Sequence, residues 1–110
     1  MNSKIVVIIA SGDKETIQAG LMYAYNAKKK GWMEDVKVIF FGPSEKLAIQ
    51  DGQISNKIKE MLPQVEVFAC KACSDDYDVS KELEELGVIV EYVGARQSDL
   101  IKNGYVPLVW

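Results

Sequence analysis

Two hydrophobic periods alternate along this chain. Lys4 to Ala10 (KIVVIIA) is an unbroken apolar and mostly β-branched run, the pattern of a strand buried on both faces of a parallel sheet. Val36 to Phe41 (VKVIFF), Val65 to Ala69, Val88 to Val93 (VIVEYV) and Tyr105 to Trp110 (YVPLVW) read as four more strands. The stretches between them carry the helical period. Ile17, Leu21, Ala24 and Tyr25 make one stripe; Ile54, Ile58, Met61 and Leu62 make another. Shorter helices are expected over Glu45 to Gln50, Lys81 to Leu86 and Ser98 to Asn103, with Ser44, Ser80 and Ser98 as N-caps and Gly31, Gly87 and Gly104 as stops.

The order β-α-β-α-α-β-α-β-α-β predicts an α/β fold, a parallel sheet with helices on both faces joined by right-handed crossovers. Residues 1–110 read as one domain, since a chain of this length supports a single core. Pro107 lacks an amide proton, which places the last strand at an edge or a bulge. Val106, Leu108, Val109 and Trp110 are then either core or a subunit contact.

Composition narrows the function. The net charge of -3 argues against direct nucleic-acid binding. It favours a small molecule or a protein partner. There is no histidine, which removes Ser-His and Cys-His nucleophile pairs and any imidazole ligand. Met1-Asn2-Ser3-Lys4 leads straight into the first strand, and the apolar run Ile5 to Ala10 is too short for a signal h-region or a membrane span. A cytoplasmic location is expected. Lys28-Lys29-Lys30 falls in the last turn of a helix, where cations are favoured, and reads as a solvated face.

Both cysteines fall where the third strand ends: Phe68-Ala69-Cys70-Lys71-Ala72-Cys73. In open α/β sheets the carboxyl ends of the strands are where ligands and chemistry collect. A lone buried cysteine is usually a small hydrophobe, but this position and a second thiol three residues on make Cys70 the candidate nucleophile. Turn amides and Lys71 favour its thiolate, while Asp75, Asp76 and Asp78 oppose it. Cys73 is an accessory thiol. Three readings follow: a persulfide carrier on Cys70, a Cys70-Cys73 dithiol redox switch, or a binding module with inert thiols. Two thiols without histidine fall short of the four ligands of a structural zinc site, so neither metal nor cofactor is expected. Ser11-Gly12-Asp13, at the start of the first helix, is a weak anion-site candidate. It lacks the further glycines of a dinucleotide fingerprint and the Gly-Lys-Ser/Thr of a P-loop, and reads better as a helix cap.

These residues bring a family into view. Lys4 to Ser11, Asn26 to Gly31, Asp35 to Gly42 with Pro43-Ser44, and above all Phe68 to Cys73, resemble the DsrE/DsrF-like family, which includes the TusD-type sulfur-relay subunits. Val79 to Val88 looks like the small archaeal and bacterial members. The resemblance covers essentially the whole chain. It implies a three-layer α/β/α domain with a five-stranded parallel sheet, flavodoxin-like in general architecture. It also implies a homo-oligomer, often a trimer or hexamer, and sulfur donor and acceptor proteins as partners. The family's sulfur-accepting cysteine follows the strand in an Ala-Cys-x-x-Ala-like context, which matches Cys70; Cys73 has no obligatory counterpart.

Overall fold

The computed structural model describes residues 3–110; Met1 and Asn2 lie outside the described residues. In chain order the elements are β1 (Lys4–Ile9), α1 (Lys14–Lys29), β2 (Asp35–Phe40), α2 (Ser44–Gln50), α3 (Gly52–Met61), β3 (Glu66–Cys70), α4 (Lys71–Asp76), α5 (Ser80–Leu86), β4 (Ile89–Glu91), α6 (Val93–Lys102) and β5 (Tyr105–Val109). The five strands form one sheet, ordered β4-β3-β2-β1-β5, and every pairing is parallel. This is the expected three-layer α/β/α architecture.

The two faces are covered unequally, and topology is the reason. From β1 to β4 each crossover steps one strand in the same direction, so right-handed connections put their helices on one face. There Ile5, Val7, Ile9, Val36, Val38, Phe40, Val67 and Ala69 pack against residues of α1, α3 and α5, including Leu21, Ile58 and Leu83. Only the β4-to-β5 connection runs back across the sheet. It lays α6 alone on the other face, where Val93 and Leu100 cover Val6, Ile8, Ile39, Phe68 and Cys70. The alternation of side chains along each strand produces both sets.

Helix α1 begins on Asp13, whose carboxylate accepts from the Thr16 amide at 2.9 Å. It lies closest to the sheet at Gly20: a Cβ there would stand 2.6 Å from Ile9 Cδ1 and 2.9 Å from Trp110 Cγ. The lysines at its end lie on the surface. Lys28 reaches the Glu34 carbonyl at 3.1 Å, and Lys30 sits over the Trp32 ring. Among the described residues, no helix is long and apolar enough to cross a membrane.

The edge assignment for Pro107 holds. Trp110 donates to the Ile8 carbonyl at 2.8 Å and accepts from the Ala10 amide at 2.7 Å. Alternate residues of β5 therefore face β1, and Pro107 faces outward where no donor is needed. The tail divides: Leu108 and Trp110 join the core, while Val106 and Val109 are exposed.

Three expected caps are not caps. Pro43 precedes α2 with helical φ and ψ, and the Ser44 hydroxyl instead donates to the Ile9 carbonyl at 2.5 Å. Ser80 directs its hydroxyl to Ser74 and Asp75 rather than to its own helix. Helix α6 starts at Val93, five residues before Ser98, whose hydroxyl back-bonds to the Gly94 carbonyl at 2.8 Å. The fourth strand is correspondingly short and stops at Glu91.

Candidate functional site

Strand β3 carries Cys70 to the carboxyl edge of the sheet, and the chain turns there without a loop. Cys70 is the N-cap residue of α4, with extended φ and ψ and no side-chain cap bond. The sequence suggested a turn through the cysteines; the structure has a short helix from Lys71 to Asp76. An i,i+4 pair between Lys71 Nζ and Asp75 Oδ2 at 2.9 Å supports it. Its inner side is fixed by the buried Ser74, whose hydroxyl donates to the Lys71 carbonyl at 3.1 Å and lies 2.6 Å from that of Ser80. One turn of helix brings Cys73 back beside Cys70. Cys70 is 7 % exposed and Cys73 half-buried. Lys71, expected to support a thiolate, spends its charge on Asp75.

A third residue meets the thiols. Glu45, on the first turn of α2, is fully buried. One carboxylate oxygen of Glu45, Cys70 Sγ and Cys73 Sγ all lie within 4.8 Å of one another. Two contacts bring α2 to this position. The Ser44 hydroxyl ties its start to the end of β1, as above, and Gly42 turns the chain with φ of 72°, a left-handed conformation that glycine adopts freely. The Gly42 amide then donates to Glu45 Oε2 at 3.1 Å. Among the described residues, Oε1 has no hydrogen-bond partner.

Burial dominates the protonation of this group. It pushes the Glu45 carboxyl from 4.5 up to about 7, against the opposing pull of the Gly42 amide and the Cys73 thiol. The Cys73 thiol is pushed up to about 11, first by burial, then by the adjacent Cys70 sulfur and the Glu45 charge, with the Gly42 amide working the other way. The site can therefore hold protons at neutral pH, or exchange them for a cation.

Glu45 was not read as a site residue in the sequence. An acidic residue in the first turn of a helix is ordinary dipole chemistry, and nothing local marks it as buried. Ser11, Gly12 and Asp13 form a closed turn apart from the thiols. The Ser11 hydroxyl accepts from the Asp13 amide at 2.9 Å, and the Asp13 carboxylate already occupies the start of α1. Hydrogen bonds from the Thr16 amide and hydroxyl hold that carboxyl below its usual range. A groove of about 490 Å³ runs between α1 and α3, lined by residues including Gln18, Met22, Gln53 and Asn56, and it contains neither cysteine.

Fold and site thus define a small, parallel-sheet α/β protein with a thiol pair at the carboxyl edge of its third strand. The chain belongs to the DsrE/DsrF-like family, whose model matches residues 3–109. That family is associated with sulfur relay. Among solved structures, the chain is similar to a conserved protein of unknown function, BT1422, from Bacteroides thetaiotaomicron. The two share 31% identity with a TM-score of 0.90, over 98% of this chain and 95% of that one. The ychN protein of E. coli aligns over 100% of both chains at 16% identity and a TM-score of 0.82. A protein of unknown function from Methanobacterium thermoautotrophicum, MTH1491, aligns over 99% of this chain and 100% of that one, at 17% identity and a TM-score of 0.80. At those two identities the likeness is one of fold. No curated protein matches the sequence.

Proposed function

We propose that this protein accepts sulfane sulfur as a persulfide on Cys70 and passes it on in an intracellular sulfur relay. The observation that carries the reading is the placement of Cys70, the last residue of β3 and N-cap of α4; the resemblance to the family, whose model spans residues 3–109, implies that its sulfur-accepting cysteine falls there. The Cys70 thiolate attacks the outer sulfur of a donor persulfide. The donor's sulfur–sulfur bond breaks, its thiolate leaves, and a persulfide forms on Cys70 with no net oxidation. Discharge reverses these roles with an acceptor thiolate. Cys70 retains 7 % of its surface and the half-buried Cys73 stands beside it, so the visitor approaches from the Cys73 side. Lys71 pairs with Asp75 rather than with the Cys70 sulfur, and Cys73 is accessory. The reading includes a homo-oligomer visited by donor and acceptor proteins. Support for a subunit contact comes from Val106 and Val109, 57% and 68% exposed on the edge strand.

Intact-mass measurement of the reduced, metal-free protein after exposure to a persulfide donor tests the reading. One added sulfur, about 32 mass units, is expected on the wild type and on Cys73→Ser, and none on Cys70→Ser. A wild type that takes up no sulfur overturns the proposal in favour of a binding module with inert thiols. A loss of about 2 mass units, reversed by reductant, replaces it with a Cys70-Cys73 redox switch.

A further inference from the structure

We infer that Glu45, Cys70 and Cys73 form a three-ligand site for a thiophilic divalent cation of the Zn²⁺ or Co²⁺ type. The inference goes beyond sulfur relay and does not rest on it.

Ligand number is the first argument. The Cys-x-x-Cys pair alone offers two ligands, too few to hold zinc. The fold adds a third from a different element, with all three donor atoms within 4.8 Å of one another. Bond lengths of 2.3 Å to sulfur and 2.0–2.2 Å to oxygen, at tetrahedral angles, require donor separations of roughly 3.6–3.8 Å. No two donor atoms are more than 4.8 Å apart, so each pair has to close by roughly 1 Å at most to reach that spacing. Two sulfurs and one carboxylate oxygen suit a borderline or soft ion and disfavour Mg²⁺ or Ca²⁺, which want all-oxygen shells.

The second argument is the orphaned oxygen. Glu45 is 0 % exposed, and its Oε1 has no hydrogen-bond partner. A buried polar atom left this way carries its full desolvation penalty unless something fills the place. Its other oxygen is already held by the Gly42 amide at 3.1 Å. That is the outer-shell contact that orients a metal-bound carboxylate. Charge points the same way. Glu45 makes no ion pair among the described residues, and the nearby Lys71 ammonium is engaged by Asp75 at 2.9 Å. A divalent ion supplies the missing positive charge. On binding, the two thiol protons and any proton on the Glu45 carboxyl leave for solvent, two metal–sulfur bonds and one metal–oxygen bond replace water on the ion, and nothing is oxidised. Three protein ligands leave one position open, the arrangement of reactive rather than purely structural zinc. Metal and sulfane sulfur then compete for the same sulfurs.

The test is an anaerobic titration of the reduced, metal-stripped chain with Co²⁺. One equivalent should bind saturably, with a thiolate-to-cobalt charge-transfer band in the near ultraviolet and visible bands of tetrahedral intensity. Zn²⁺ should displace it, and Mg²⁺ should not. Glu45→Gln keeps the shape of the side chain and should weaken binding by about tenfold or more, the lower bound set by loss of even an outer-shell partner. Cys73→Ser should abolish the charge-transfer signal of the pair. A rise in the wild-type melting temperature with Zn²⁺ reads binding without any variant. Absence of both the band and the thermal shift overturns the site. Equal affinity in a folded Glu45→Gln overturns the role of the carboxylate. Persulfide uptake by the metal-free wild type is scored separately, so either proposal can fall alone.

Discussion

At the amino edge of the sheet, Asp35 is shared by Lys37 at 3.1 Å, Lys28 at 3.5 Å and the Tyr105 hydroxyl, and Lys37 reaches on to Glu66 at 2.8 Å. At the carboxyl edge, Glu45 faces two thiols and one amide, with no cation beside it. The first cluster is partly open to water, and there the partners of Asp35 together outweigh its desolvation. The second is sealed, where a lone carboxylate is expensive to ionise. The two act on stability in opposite directions. Asp35 is held below its usual value: burial raises it, but Tyr105, Lys37 and Lys28 outweigh that. Its contribution is fully present above pH 3.8 and is lost as pH falls through the lowered value. Glu45 is raised from 4.5 to about 7, so its contribution is present below pH 4.5 and is lost as pH rises to about 7. A carboxyl whose ionisation the fold opposes in this way is the kind of perturbed group that clusters at functional sites.

The largest expected effect follows from this sign difference. Urea unfolding of the reduced, metal-free protein should show stability falling between pH 4.5 and about 7. The size is on the order of 2–3 kcal/mol, from the width of that interval. Glu45→Gln should remove the slope and exceed the wild type at pH 8. A wild type as stable at pH 8 as at pH 5 would mean that Glu45 ionises without penalty, and the contrast between the two edges would be gone.

How much of this contrast was legible beforehand depends on range. The strands were readable because a parallel sheet buried on both faces writes itself as continuous apolar runs, and Lys4–Ile9 and Asp35–Phe40 do so. The edge role of β5 was readable because Pro107 is a local constraint on backbone donors. Cys70 was readable because the end of a strand is a position in the sequence. Ser44, Ser80 and Ser98 misled because a serine's cap partner and its distant partners look alike in one dimension. Ser44 reaches Ile9, 35 residues away. The start of α6 was lost for a related reason: Val93 carries strand propensity, and its packing from α6 onto the sheet outweighs it. Glu45 was out of reach altogether, since its burial arises from the approach of β1, β3 and α4.

A middle-sized effect sharpens the other side of the comparison. Lys37→Met removes the charge that joins Asp35 to Glu66 while keeping most of the apolar stem. Asp35 keeps Lys28 and Tyr105, so the loss at pH 7 should be about 1 kcal/mol, the upper end for partly exposed pairs. Combined with Glu45→Gln, which acts at the opposite end of the sheet, the two changes should add within about 0.5 kcal/mol. Strong non-additivity in a double-mutant cycle would show that the edges are coupled through the sheet.

The smallest effect separates the edges by screening alone. Raising ionic strength to 1 M shortens the Debye length to about 3 Å. Water reaches the amino-edge pairs, whose side chains are 19% to 55% exposed, so ions can screen them. The gap between wild type and Lys37→Met should narrow by a few tenths of a kcal/mol. Glu45 is 0 % exposed, so bulk monovalent salt screens it little, and the desolvation that raises its pKa does not depend on salt. At pH 8 the gap between wild type and Glu45→Gln should therefore stay constant as salt is added. Taking differences between variants cancels the general effect of salt on apolar burial, which all of them share. If both gaps narrow together, solvent enters between α2 and α4. The carboxylate would then be hydrated rather than orphaned, and the case for a cation at that point would weaken with it.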